Sequence, residues 1–156
     1  MKKNHLITTV INYCSNDYRF IKKCVEEAFK FSQEVIVPVS DHFFNVTKEN
    51  RKLLDLTYFE NQECKFIEYE FKKDKTYSNY KWFSPSSIES RHLWHSTSRY
   101  ISYFFWDRAT EYVLFLDADE ICDGDNFLKW LDLEEYKKYS AMRVGSYMYF
   151  NSSHLR

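Results

Sequence analysis

YVLFLDADEICDG, residues 112–124, is the stretch from which the fold is read. Tyr112 to Leu116 is a short apolar run between polar segments, the pattern of a buried strand covered on both faces. The run delivers Asp117, Asp119 and Glu120 at its carboxyl end. Three carboxylates crowded at the mouth of a buried strand repel one another and are costly to desolvate, and a divalent cation relieves both costs. In an extended chain residues i and i+2 point the same way, so Asp117 and Asp119 converge while Glu120 turns aside. Hard oxygen ligands without His or Cys suit Mg²⁺ or Mn²⁺. An EF-hand is excluded, because Cys122 stands where that loop requires glycine. Asp123 and Asp125 read as caps of the helix that follows.

Composition sets the limits. At 156 residues the chain has the length of one domain, and 44% hydrophobic residues supply a core. The mean hydropathy of -0.60 reflects many Lys, Asn, Glu and Tyr residues. Basic and acidic residues nearly balance, 22 against 23, with no basic block to mark a nucleic-acid partner. Cys14, Cys24, Cys64 and Cys122 have no CxxC spacing, which favours buried reduced thiols and a cytoplasmic protein. The amino-terminal apolar stretch is short and carries Thr and Asn, unlike a signal peptide, and no run reaches the ~20 residues of a membrane span.

Outward from residues 112–124 the chain alternates. Residues 6–13 (LITTVINY) read as a strand, followed by a turn in which Asn16 or Asp17 caps the helix YRFIKKCVEEAFKF. Phe20, Ile21, Cys24, Val25, Ala28 and Phe31 form its apolar face, with Lys22, Lys23, Glu26 and Glu27 turned away. Residues 34–39 (EVIVPV) form a second strand, weakened by Pro38. A helix over 47–61, a strand over 65–71 and a long loop over 72–89 come next, then a helix over 91–108. Short helices over 126–131 and 133–139 and a strand over 141–150 close the chain. Tyr100, Tyr103, Phe104, Phe105 and Trp106 read as core and helix packing. Such alternation implies right-handed crossovers and an α/β class: a three-layer α/β/α sandwich on a mostly parallel sheet, in one domain over residues 1–156.

Three further groups lie near the expected carboxylate edge. Tyr13-Cys14-Ser15-Asn16 and Ser40-Asp41-His42 end the first two strands, where a base and ribose could sit, or where ordinary turn chemistry would suffice. Arg91 stands near the start of a helix, a place that favours anions. His92 and His95 are about a helical turn apart, but the nearby carboxylate in phase, Glu89, reads as preceding the helix, so a histidine metal site is not expected there. Neither GxGxxG nor a P-loop is present.

The strand, the NDYRFIKKCV helix, EVIVPVSD, an Arg-headed helix and then YVLFLDADE resemble the nucleotide-sugar-binding half of family 2-like glycosyltransferases of the GT-A fold. The resemblance covers roughly residues 6–131 and is most specific at the DxD strand. It implies metal binding by Asp119, with Asp117 on the ribose or on the metal through water. It also implies a base pocket at Tyr13, Cys14 and Ser15, Asp41 near base or ribose, and Arg91 on the nucleotide. The implied cofactor is Mn²⁺ or Mg²⁺, the donor a nucleotide sugar and the acceptor a hydroxyl of a glycan, lipid or protein. The chain departs from the family in Val39-Ser40, where two acids are usual, and in lacking a proline near the end of the first strand. Members resembling it place a catalytic carboxylate well downstream of the DxD. The closing SSHLR holds no acid, so the acceptor half is expected to be short or missing and the base is unassigned. The alternatives are a non-catalytic nucleotide-sugar-binding module and, more remotely, a haloacid-dehalogenase-type phosphotransferase with Asp117 as nucleophile.

Overall fold

A computed structural model describes residues 5–43, 47–70 and 88–145, with the backbone alone described over 88–94. Four strands, β1 (Ile7–Asn12), β2 (Glu34–Ser40), β3 (Lys65–Tyr69) and β4 (Tyr112–Asp117), form one all-parallel sheet in the order β3-β2-β1-β4. The helices among the described residues are α1 (Tyr18–Phe31), α2 (Arg51–Glu60), α3 (Ile88–Ser102) and α4 (Gly124–Leu131). The class is α/β, compatible with a Rossmann-like arrangement.

The order reverses at β1. The chain steps outward from β1 to β3, and α3 then carries it back past β1 to β4. Right-handed crossovers running in opposite directions must use opposite faces of the sheet. The two cores follow that rule. Ile7, Ile11, Val35 and Val37 face α1 and α4 in one cluster, while Val10, Ile36 and Ile67 face Ile101 and Trp106 in the other.

Local chemistry explains most elements. In α1, Ile21, Cys24, Val25, Ala28 and Phe31 recur at helical spacing and are buried. Phe31 is fully buried and meets Phe127 of α4 at a ring separation of 4.6 Å. Burial of such a ring contributes about 1.5–3 kcal/mol. The β1–β2 register ends at Val10↔Ile36, so Pro38 lies beyond the last β1 pair and is matched only with Ile67 on β3. The proline therefore sits in a central strand without costing it a ladder bond to β1.

Several expectations are corrected. β4 is half-buried, with Phe115 exposed, because among the described residues it is an edge strand paired only with β1. Glu27 is buried: its carboxylate accepts from the Gly124 N–H at the start of α4 and pairs with Lys23 and Lys30. Asp123 caps α4 as read, accepting from Asn126 N, whereas Asp125 pairs with Lys30. α2 starts only at Arg51, with Asn50 as its cap, which leaves residues 47–49 in a loop. α3 starts earlier, at Ile88, and ends at Ser102 in a 3-10 turn over Tyr103–Phe105. That turn leads the chain away from the sheet, so Tyr100, Tyr103, Phe104 and Phe105 are exposed, Phe104 at 64%, with Tyr100 and Tyr103 packed edge-to-face on Phe104. Residues 133–139 hold a 3-10 turn over Glu135–Lys138 where a short helix was read. Of the expected last strand, residues 141–145 are not extended into a sheet, and 146–150 lie outside the described residues. Nearly all of the 72–89 loop lies outside them too.

Candidate functional site

The carboxyl ends of β1, β2, β3 and β4 lead into one cleft of about 270 Å³. It opens where strand order reverses, the position at which open α/β sheets bind ligands. Its volume falls just under the roughly 300–1,000 Å³ usual for small-molecule sites.

β4 places Asp117 at the cleft through its register with Asn12 of β1. Alternation along β4 sends Val113, Phe115 and Asp117 to the α3 face. The Asp117 Oδ1 atom is therefore met by α3: His95 Nε2 lies 3.1 Å away and Arg99 Nη2 3.4 Å. Asn12 Nδ2 donates to the same oxygen at 3.1 Å. Arg99 also lies over the Phe115 ring, 5.7 Å from its centroid. Asp119 lies two residues further on, exposed, and among the described residues no hydrogen bond or ion pair engages its carboxylate. The strand ends at Asp117 and a turn follows, so the extended geometry read for Asp119 and Glu120 does not hold; Glu120 folds back, and its Oε2 accepts from the Asp117 N–H.

Two acids not expected at the site, Asp17 and Glu49, complete the cleft. Asp17 does not cap α1 with its side chain; its Oδ2 accepts from Cys14 Sγ at 3.2 Å. Burial raises the Asp17 pKa, and the charges of Asp119 and Asp117 raise it further. Glu49 reaches in from the loop before α2 and accepts from the Ser15 N–H at 3.1 Å and from the Ser15 hydroxyl. Burial raises Glu49 as well, against the Ser15 hydrogen bonds, and Asp17 adds to it. Asp17, Glu49, Asp117 and Asp119 thus share one concavity.

The other expected residues are distributed as follows. Tyr13 lines the cleft while its hydroxyl bonds Thr57 of α2 at 2.6 Å. Cys14 lines it too, with its thiol pushed up to about 12 by burial and by Asp17. Ser15 is buried behind it, holding Glu49. Asp41 faces a neighbouring groove beside Arg51 and Glu68 and lies 3.0 Å from His42 Nδ1. Arg91 belongs to α3, but its side chain lies outside the described residues. His95 and Arg99 were not read as site residues. The available signal was their place on the helix before β4, one turn apart and so on one face.

The donor set fits a hard divalent ion in one respect. Asp119 offers a free carboxylate beside Asp117, and oxygen ligands suit Mg²⁺ or Mn²⁺. A second acidic group, Glu27, Asp123 and Asp125, lies apart from the cleft. Lys30 already sits within it, 2.9 Å from Glu27 and 2.6 Å from Asp125, and offsets part of its charge without an ion.

No protein-family model matches the chain, and no similar protein is found among the curated proteins or the solved structures. The site must therefore be argued from its own chemistry. No helix among the described residues is long and apolar enough to cross a membrane.

Proposed function

We propose that this chain is the donor-binding domain of a metal-dependent glycosyltransferase of the GT-A type. Its substrate would be a nucleotide sugar, and its acceptor a hydroxyl of a glycan, lipid or protein. The observation that carries the reading is the free Asp119 carboxylate beside Asp117 at the point where the parallel sheet reverses order. A cleft holding four carboxylates repels a diphosphate on its own. Mn²⁺ or Mg²⁺ held by Asp119 and Asp117 would neutralise charge on the leaving nucleoside diphosphate. Tyr13 and Cys14 would line the base end, and His95 and Arg99 would hold Asp117 in place. The free thiols suit a reducing compartment, so we place the protein in the cytoplasm.

Titration calorimetry with UDP and with GDP, each with and without Mn²⁺, tests the reading. Metal-dependent binding of either is expected; no metal-dependent binding of any nucleoside diphosphate would sink it. A second reading, a non-catalytic nucleotide-sugar-binding module, is favoured by the modest cleft volume, which suits part of a donor. Donor hydrolysis separates the two: binding without turnover selects the module.

A further inference from the structure

A chain of polar side chains runs beneath the cleft and touches the carboxyl ends of all four strands. Tyr69 at the end of β3 is hydrogen-bonded by Ser40 at the end of β2 and by Ser98 of α3. Ser98 is buried, and its hydroxyl lies 2.8 Å from Asn12 Oδ1 at the end of β1. Ser98 Oγ is also 2.8 Å from the His95 carbonyl oxygen, so its single proton serves one acceptor at a time. Asn12 then donates through Nδ2 to Asp117 at the end of β4.

The direction of the Asn12 amide follows from its neighbours. An ionised carboxylate only accepts, so Nδ2 must face Asp117, which leaves Oδ1 to accept from Ser98. The Asp117 bond therefore fixes the amide, because a flip would turn Oδ1 toward the carboxylate. Among the described residues, Asn12 is the donor to Asp117 that comes from the sheet; His95 and Arg99 come from α3. Asn12 and Ser98 thus key the helix to the sheet at the carboxylate itself.

We propose that Asn12 and Ser98 are positioning residues for Asp117: they set the orientation in which its carboxylate meets His95 and faces the cleft. The role of that orientation in cation binding rests on the donor-site reading above; the orientation itself does not. Partners of this kind behind a metal-binding carboxylate are typically worth about 10–100-fold in metal affinity.

The test uses the full chain at one fixed pH, with Asn12→Leu, close in size and without the amide, and Ser98→Ala. Two quantities are read: the ¹⁵N signals of the His95 ring without metal, and Mn²⁺ affinity by calorimetry. Thermal melting checks that each variant is folded. In Asn12→Leu the His95 signal should move and Mn²⁺ should bind about tenfold or more weakly. Ser98→Ala should shift both in the same direction by less, and it carries the test alone if Asn12→Leu does not fold. Unchanged His95 signals and unchanged Mn²⁺ affinity in a folded variant would overturn the proposal. If the unaltered protein binds no Mn²⁺, the donor-site reading fails, and the His95 signal alone decides whether the residues position Asp117.

Discussion

His95 Nε2 lies 3.1 Å from Asp117 Oδ1, joining the helix before β4 to the carboxylate at the end of β4. The contact divides the two aspartates of the DxD. Asp117 is engaged from three directions, whereas among the described residues Asp119 stands in the cleft without a donor. The predictions below test that division and the packing behind it.

Asp119→Asn should abolish metal-dependent binding of nucleoside diphosphates. Because Asp119 is exposed and engages nothing among the described residues, stability should change by no more than about 0.5 kcal/mol. Calorimetry and urea unfolding on the same variant check the pair of outcomes. A large loss of stability would make the carboxylate structural.

Asp117→Ala should weaken binding and also destabilise the fold. It removes the acceptor of Asn12, His95 and Arg99 together, at a cost of about 1–3 kcal/mol. The carboxylate is 37% exposed, which places the cost toward the lower end. A shift in the urea midpoint larger than that of Asp119→Asn is the expected sign.

Gly124→Ala should destabilise by about 1–3 kcal/mol through overpacking. A Cβ at Gly124 would lie 2.4 Å from the Glu27 backbone oxygen and 3.0 Å from its carboxylate. The glycine is needed for close approach of α4 to α1, not for an unusual backbone angle. Thermal melting reads the effect directly.

Glu27 gives the fold an acid-sensitive element. The Lys23 ammonium, then Lys30 and the Gly124 N–H, pull its pKa down to about 2. A carboxylate held below its unfolded value of 4.5 contributes stability that is present above that value. The contribution disappears as pH falls toward about 2. Urea unfolding of the unaltered protein and of Glu27→Gln should therefore differ most at pH 7 and converge in acid. A constant difference across that range would remove Glu27 as the cause.

The thiols should be slow to alkylate in the folded state. Burial pushes Cys14, Cys24 and Cys64 up to about 12 and Cys122 to about 11, so the reactive thiolate is scarce at neutral pH. Iodoacetamide labelling followed by mass spectrometry should find all four modified rapidly only after unfolding. Fast labelling of Cys14 in the folded protein would contradict the arrangement around Asp17.

Much of the architecture was written in short-range pattern. The apolar spacing of residues 18–31 gave α1 its limits, and the run at 112–116 gave β4 with acids at its end. Periodicity of this kind depends on neighbours a few positions apart, so the sequence by itself carries it. The alternation of strands and helices likewise implied the parallel sheet.

Tertiary structure decided which side chains meet. Glu27 read as solvated on its own helix, yet a second helix start lies against it, nearly a hundred positions away in the chain. Asp17 read as a cap and Glu49 as part of a helix, yet sheet order brings both to Asp117 and Asp119. His95 and Arg99 became partners of Asp117 because the crossover places α3 on the face toward which Asp117 points. These pairings follow from strand register and crossover side, quantities set by the whole sheet, and no local spacing encodes them.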